Sequence, residues 1–403
     1  LHRRRHSFPT RRSSDLITDV NPFDLPPEAL SDARNVRFSE GRITNAHVWR
    51  EVIASPDGGT PVFVFAGERT NAFDILGYVT RDGKVFHVSN GTPNEVTESS
   101  YTPADSDVVR TFCTLQGVYY SNQEDRVPWY FSSGSSDYAE LPNWDSNDRC
   151  KVLRGFKDFL VALNVTKSGT VGPNLVKWSN IAQYDSVPDS WDPSDTTKSA
   201  GENTLAEIQT EILDGQQLRN SFVIYSTNQA WTMEYTQGPD VFQFYKLFGD
   251  RGIINTNCVV EIDGAHMVFD TTDIYIHDGV SPPKSICDRR VRRRIFRSLD
   301  LTKANVCFVY HDKAANEVWF GYNSSKEDLK WLGADCAYCN TAAVYNYMDD
   351  TWTFHDLPNV AGMVSGSWQL APTYDDLTGL TYDTIGSTYA DLVANTTKRS
   401  EEH

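Results

Sequence analysis

The chain lacks the long apolar segment that a membrane span requires. None of its hydrophobic runs approaches the ~18 consecutive apolar residues of a transmembrane helix. Residues 1–16 also lack the apolar core of about seven residues that a secretory signal needs. These two absences predict a protein without a membrane span and without a recognisable export signal.

Positive charge is scarce as well. The 37 Lys and Arg residues face 54 Asp and Glu residues, which leaves a net charge of −17 at pH 7. This excess of acid argues against a general nucleic-acid coat, because such a protein needs cations to displace the counterions of the phosphates. An acidic surface would instead repel a nearby polyanion.

Signatures of catalysis are missing from the sequence. We find no P-loop, no nucleophile elbow and no HExxH motif. The CxxC spacing of Cys336 and Cys339 has no second ligand pair at matching spacing, which a structural zinc site needs. We therefore predict that the protein is not an enzyme and has no catalytic residues, metal or cofactor. The seven cysteines are odd in number and scattered, which favours assembly in a reducing compartment over a disulfide framework.

Both ends of the chain resemble translated sequencing adapters. Residues 6–16, HSFPTRRSSDL, correspond to one adapter, and residues 399–403, RSEEH, correspond to the start of the complementary adapter. We predict that residues 1–16 and 399–403 are adapter-derived, and that the remainder is a metagenomic fragment truncated at both ends. The alternative for the first stretch is a genuine basic arm.

Short strand-like runs fill most of the sequence. Aromatic residues make up 12% of the chain, and alternating β-branched and aromatic runs flank polar turns at 226–229, 270–273, 311–316 and 347–350. This pattern is typical of β-hairpins. The stretch from Thr204 fits either a helix or two strands around an Asp214-Gly215 turn, and we favour the strands.

The strand pairs recur at a nearly constant interval. They start near residues 60, 108, 150, 221, 259, 305 and 341, at intervals close to the ~40–50 residues of a propeller blade. We predict an all-β protein with a β-propeller of about six to seven blades, and paired β-sandwiches are the alternative. The predicted division is a docking segment at 17–50, a propeller at 51–365 with a loop insertion at about 171–205, and a partial C-terminal segment at 366–398.

One basic cluster interrupts the acidic chain. Its members lie between Asp288 and Asp300 and are Arg289, Arg290, Arg292, Arg293, Arg294 and Arg297. Arginine suits salt bridges between subunits and contacts with phosphate, because its planar guanidinium binds oxyanions in a bidentate way. We predict a subunit interface here; a DNA contact and a merely solvated face remain as alternatives.

Three stretches resemble the tail nozzle family of short-tailed bacteriophages, also called packaged-DNA stabilisation or tail accessory proteins. They are NPFDLPPEALSDARNVRFSEGRI (21–43), DIYIHDGVSPPKSICDRRVRRRIFRSLD (273–300), and EVWFGY (317–322) with AAVYNYMDDTWTFHDLP (342–358). The residues that carry the motif are Asp24, Leu25, Pro26, Pro27, Asn35, Val36, Arg37, Phe38, Gly41, Trp319, Tyr345 and Trp352.

The resemblance implies a structural protein of the virion. It would form a homohexameric ring below the portal or head-to-tail adaptor, retain the packaged DNA and conduct it during ejection without sequence-specific binding. Assembly in the host cytoplasm and a final location in the phage tail are implied as well. The competing interpretation is a propeller that binds or cleaves carbohydrate; a cellular WD-repeat scaffold ranks third, because the Gly-His and Trp-Asp signatures are missing.

Overall fold

The fold is a ring of small antiparallel sheets. The computed structural model describes residues 15–365 except for gaps at 26–28, 40–41, 47–48, 50–58, 70–71, 90–91, 237–239 and 326–335. Over these residues six four-stranded sheets succeed one another along the chain, and their first strands contact each other around a centre. This arrangement is a six-bladed β-propeller.

The strands follow the order of the chain. Before the propeller, β1 (Asp15–Leu16) pairs in parallel with β2 (Ala29–Leu30), and β3 (Val36–Ser39) pairs antiparallel with β4 (Arg42–Asn45). Blade 1 holds β5 (Pro61–Arg69), β6 (Ala72–Thr80), β7 (Val85–Ser89) and β8 (Thr92–Glu95). Blade 2 holds β9 (Arg110–Leu115), β10 (Val118–Gln123), β11 (Trp129–Phe131) and β12 (Ala139–Glu140). Blade 3 holds β13 (Arg149–Phe156), β14 (Phe159–Lys167), β15 (Thr170–Trp178) and β16 (Gly201–Thr204).

Blades 4 to 6 repeat this pattern. Blade 4 holds β17 (Ile212–Leu218), β18 (Ser221–Ser226), β19 (Ala230–Tyr235) and β20 (Phe242–Phe248). Blade 5 holds β21 (Val259–Ile262), β22 (Ala265–Phe269), β23 (Ile274–His277) and β24 (Lys284–Ser285). Blade 6 holds β25 (Phe308–Asp312), β26 (Glu317–Tyr322), β27 (Cys339–Asn346) and β28 (Thr351–Val360). Helix α1 (Arg292–Ser298) lies between blades 5 and 6, and 3-10 turns occupy Pro22–Asp24 and Leu301–Val306. No helix in the described ranges is long and apolar enough to cross a membrane.

The predicted all-β propeller is confirmed, and so are its hairpin turns. The turns at 226–229, 270–273, 311–316 and 347–350 each separate two paired strands, within two residues of the predicted ends. These positions were predictable because polar and turn-forming residues interrupt apolar alternation. All seven cysteines are free.

Three details of the prediction need correction. The unit near 341 is not a seventh blade, because β27 pairs with β26 and completes blade 6. Asp214 and Gly215 lie inside β17 instead of in a turn, since the β17–β18 hairpin turns at Arg219 and Asn220. The insertion in blade 3, predicted at about 171–205, is shorter: its loop runs from 179 to 200, because residues 171–178 belong to β15 and residues 201–204 belong to β16.

Aromatic side chains pack neighbouring blades together. Phe65 of blade 1 stacks on Phe112 of blade 2 with 4.3 Å between ring centroids. Phe156 of blade 3 contacts Phe222 of blade 4, and Phe269 of blade 5 contacts Phe320 of blade 6. Fully burying one such side chain stabilises a fold by roughly 1.5–3 kcal/mol. The aromatic richness of the sequence thus serves the interfaces between blades.

The N-terminal segment packs against the last blade. Asn35 donates its main-chain N–H to the Phe354 carbonyl at 2.8 Å, so the segment runs beside β28 at the outer edge of blade 6. Leu16 is fully buried in the same core. Of the predicted adapter residues 1–16, only Asp15 and Leu16 are described, and residues 366–398 and 399–403 lie outside the described part. The adapter origin of both ends stays a prediction.

Candidate interaction site

The motif residues near the N-terminus are held by blade 6. The Asn35 amide donates to the Asp356 carboxylate at 2.8 Å, and the Asn35 side-chain oxygen accepts the Asp356 main-chain N–H at 2.9 Å. Arg37 pairs with Glu317 at 2.8 Å, and that glutamate is 2% exposed. The Asn346 amide donates to the Phe38 carbonyl. The first and last stretches of the resemblance therefore form one packed unit.

Three aromatic motif residues complete this unit. Trp352 is fully buried, and its indole N–H donates to the Ile286 carbonyl at 3.3 Å. The Tyr345 hydroxyl donates to Asp350, and Trp319 makes an edge contact with Trp49. Asp24 and Leu25 lie at the N-terminal 3-10 turn and Val36 is half-buried in β3. Pro26, Pro27 and Gly41 lie outside the described residues.

Arg290 joins the N-terminal segment to blade 6. Its guanidinium pairs with Asp15 and with Asp350, both at 2.7 Å. Its main-chain carbonyl accepts the N–H of Thr18. Burial works to lower the pKa of Arg290, but the two carboxylates outweigh burial and raise it. Arg290 is thus a structural link within the chain.

Two further arginines also face partners in the chain. Arg294 pairs with Asp32 at 2.7 Å and lies over the Phe354 ring at 4.3 Å from its centroid. Arg292 donates to the Thr272 carbonyl and lies 3.7 Å from Asp288. Half of the predicted interface cluster therefore stabilises the protomer itself.

The other three arginines point away from the protein. Arg289, Arg293 and Arg297 are exposed and spaced by four residues, and Arg293 and Arg297 are one turn apart on α1. Their side chains have no hydrogen-bond or ion-pair partner among the described residues. Beside them a surface cavity of about 320 Å³ is lined by Thr18, Asp19, Ser31, Arg293, Arg294 and Arg297. We call Arg289, Arg293 and Arg297 the outer arginine row.

A second polar cluster, which the sequence did not reveal, lies at the centre of the propeller. Arg154 on β13 donates to both carboxylate oxygens of Asp214 at 3.0 and 2.9 Å, and to the Asn257 side-chain oxygen at 2.8 Å. The same guanidinium donates to the Phe112 carbonyl, and Asn257 donates its main-chain N–H to Asp214. This cluster links blades 2, 3, 4 and 5.

Blades 4 and 5 share a buried tyrosine and two histidines. His266 Nε2 lies 2.8 Å from the Gln217 carbonyl and must donate to it, so Nδ1 accepts the Tyr225 hydroxyl at 2.6 Å. The Tyr225 oxygen then accepts the N–H of His277 Nε2 at 2.6 Å, which leaves His277 Nδ1 without a partner. Burial lowers the pKa of His266 to about 4 and the pKa of His277 to about 3.

In the described ranges, no three His, Cys, Asp or Glu side chains lie close enough together to bind a metal ion. The buried histidines do not line the central cavity of the ring. Cys336 and Cys339 are both buried and free. The charged groups that the structure brings together are therefore the outer arginine row on the surface and the Arg154–Asp214 pair at the centre.

Comparisons with known proteins assign the chain to no family. No family model matches the chain, and no curated protein matches it. A chain in the crystal structure of a mitotic checkpoint complex aligns with 7% identity and a TM-score of 0.42, covering 76% of this chain and 88% of its own. YCF48 from Cyanidioschyzon merolae aligns with 11% identity and a TM-score of 0.36, covering 58% of this chain and 71% of its own. The strand order identifies the propeller independently of these similarities.

Proposed function

We propose that the protein is a structural subunit of a short phage tail, of the tail nozzle type, that assembles into a homohexameric ring. The observation that carries this proposal is the meeting of the three resembling stretches in space. Arg37 of the first stretch contacts Glu317 of the last, and Trp352 contacts Ile286 of the middle stretch. Stretches that resemble one family in order and also form one packed unit support that family better than isolated motifs.

The proposed role follows from rigidity and charge. A propeller is a rigid block, and in a ring below the portal or adaptor its acidic surfaces would repel DNA. DNA would then slide during ejection instead of adhering to the wall. The ring would retain packaged DNA without sequence-specific contacts. Its place would be the virion, after assembly in the host cytoplasm.

The outer arginine row is the proposed contact with the neighbouring subunit. Three guanidiniums that lack a partner in the part of the chain that the structure describes, on a chain of net charge −17, favour an acidic surface of another copy. The proposal leaves out Arg290, Arg292 and Arg294, because each already makes a contact inside the protomer.

Reversing the charge of the outer arginine row should break the ring and leave the protomer folded. We expect Arg289→Glu, Arg293→Glu and Arg297→Glu together to convert hexamers into monomers, because acidic side chains would then face the acidic neighbour. Native mass spectrometry gives the mass of the assembly, and circular dichroism checks the fold.

The matched control changes the same charge elsewhere. Arg219, Lys246 and Lys313 are exposed on other turns and strands, and their reversal to Glu should leave the hexamer intact. A hexamer that survives reversal of the outer arginine row would refute the interface assignment. Negative-stain images with six-fold rings and a central hole would support the nozzle proposal. Wild-type monomers that cleave host polysaccharide would overturn it in favour of a carbohydrate-active propeller.

A further inference from the structure

The centre of the propeller contains a cavity that the proposed tail function does not use. Its volume is about 330 Å³, and residues of all six blades contribute to its lining. Ligand pockets in proteins span roughly 300–1,000 Å³, so the cavity has the size of a small-molecule site. One wall is apolar and is formed by Val62, Val64, Phe63, Phe308, Val309 and Met363.

Polar groups with free hydrogen-bonding capacity lie on the rest of the lining. Gln216 on β17 and Tyr338 before β27 both line the cavity and are half-buried. Over the residues that the structure describes, neither the Gln216 amide nor the Tyr338 hydroxyl has a hydrogen-bond partner. A few convergent polar groups opposite an apolar wall are typical of sites that orient an amphipathic ligand.

Arg110 at the start of β9 supplies the charge. It lines the cavity and is 7% exposed. Its guanidinium donates only to neutral acceptors, namely the carbonyls of Val108, Arg81 and Ser106 and the Ser106 hydroxyl. Its Nε–H is buried and has no acceptor among the described residues. None of the carboxylates that the structure describes bonds to this guanidinium, and burying an uncompensated charge is costly, so an anion in the cavity would stabilise it.

The acidic residues near Arg110 are already paired with other arginines. Asp107 lies 3.4 Å from Arg81, and Asp125 lies 3.0 Å from Arg126. Burial and the charge of Arg126 both lower the pKa of Arg110. The protein thus places a buried guanidinium, without a bonded carboxylate, at the edge of a partly apolar cavity.

We propose that the central cavity binds a small amphipathic anion, a carboxylate or a phosphate monoester. The anionic head group lies beside the guanidinium of Arg110, whose charge attracts it, the Gln216 amide or Tyr338 hydroxyl donates to it, and the apolar body lies against Phe63, Val64 and Phe308. This inference is independent of the proposed tail function, because it concerns the interior of one protomer.

Isothermal titration calorimetry on the full chain tests the proposal with four probes of eight carbon atoms each. Octanoate and octyl phosphate carry the anionic head, whereas octanol and octylammonium keep the apolar body and lack it. We expect saturable binding of octanoate or octyl phosphate at least about tenfold tighter than that of octanol, since charge-assisted bonds to a buried guanidinium are strong. The stronger of the two anions identifies the head group.

Two variants and a control locate the site. Arg110→Gln should weaken binding of the anion about tenfold or more and leave the weak binding of octanol unchanged. Val62→Phe, at a half-buried lining position, should block the cavity and weaken every probe. Arg219→Gln, on an exposed turn away from the cavity, should change nothing. Circular dichroism verifies folding, and if Arg110→Gln is unfolded, Val62→Phe decides.

Three results would overturn the proposal. The first is the absence of saturable binding of either anion to the wild type at millimolar concentration. The second is equal binding of octanol and octanoate, which would remove the role of the charge. The third is unchanged anion binding in the folded Val62→Phe variant, which would place the ligand elsewhere.

Discussion

Acidification from about pH 7 to about pH 4 should lower the free energy of unfolding by on the order of 5 kcal/mol through the buried histidines alone. Tyr225, His266 and His277 form a hydrogen-bonded chain whose members are 0–3% exposed. Protonating either histidine would place a positive charge at a site that is almost completely removed from water, and burial disfavours the charged form. Protonation therefore favours states in which the interface between blades 4 and 5 is open.

The sign of the effect follows from the pKa values. An unfolded histidine has a pKa of 6.5, whereas burial lowers the pKa of His266 to about 4 and that of His277 to about 3. Between these limits the unfolded chain binds more protons than the folded one, so stability is lost as the pH falls below 6.5. Burial also lowers the pKa of His87 to about 4, which adds in the same direction.

Two carboxyl groups act in the opposite direction. Burial raises the pKa of Asp15 and the pKa of Asp270, so the folded state of each binds a proton more readily than the unfolded chain. Both carboxyl groups therefore offset part of the stability that the histidines lose as the pH falls below 6.5.

Urea unfolding at a series of pH values measures this loss. His266→Gln with His277→Gln should flatten the dependence of stability on pH, because glutamine does not titrate. The same variant at about pH 8 serves as the control, since both histidines are neutral there and any difference reports packing alone. A wild type whose stability is constant from about pH 7 to about pH 5 would contradict the assignment.

The local pattern of the sequence was sufficient for the fold class and for most hairpins. Alternating apolar residues around polar turns depend only on neighbouring positions, and the turns at 226–229 and 347–350 lie where that pattern placed them. The number of blades could not be predicted from this local pattern. The β27–β28 hairpin looks like any other, and only its pairing with β26 assigns it to blade 6.

The candidate site was also predictable from the sequence only in part. The arginine cluster is visible in the sequence because its members are adjacent. Which arginines face inwards depends on Asp32 and Asp15, which lie 262 and 275 positions away from Arg294 and Arg290. The Arg154 cluster has partners 60 and 103 positions away and therefore leaves no local signal. The free Nε–H of Arg110 is likewise a property of the folded ring.

Replacing Arg154 by methionine should destabilise the protein by about 3–5 kcal/mol, which is the usual cost of leaving one partner of a buried ion pair uncompensated. The Asp214 carboxylate is 1% exposed, and Arg154 donates to both of its oxygens. The main-chain N–H groups of Gly215 and Asn257 would still donate to it, but no cation would remain. Urea unfolding at about pH 8, above the histidine window, gives the value.

A second substitution separates the charge from the packing. Arg154→Met with Asp214→Asn removes the buried negative charge and keeps an acceptor for the two N–H groups, so part of the lost stability should return. Lys198→Met is the matched control, because its pair with Asp189 is exposed and exposed pairs contribute little to stability. If Arg154→Met costs no more than Lys198→Met, the centre of the ring is hydrated and the Arg154 cluster does not hold blades 2 to 5 together.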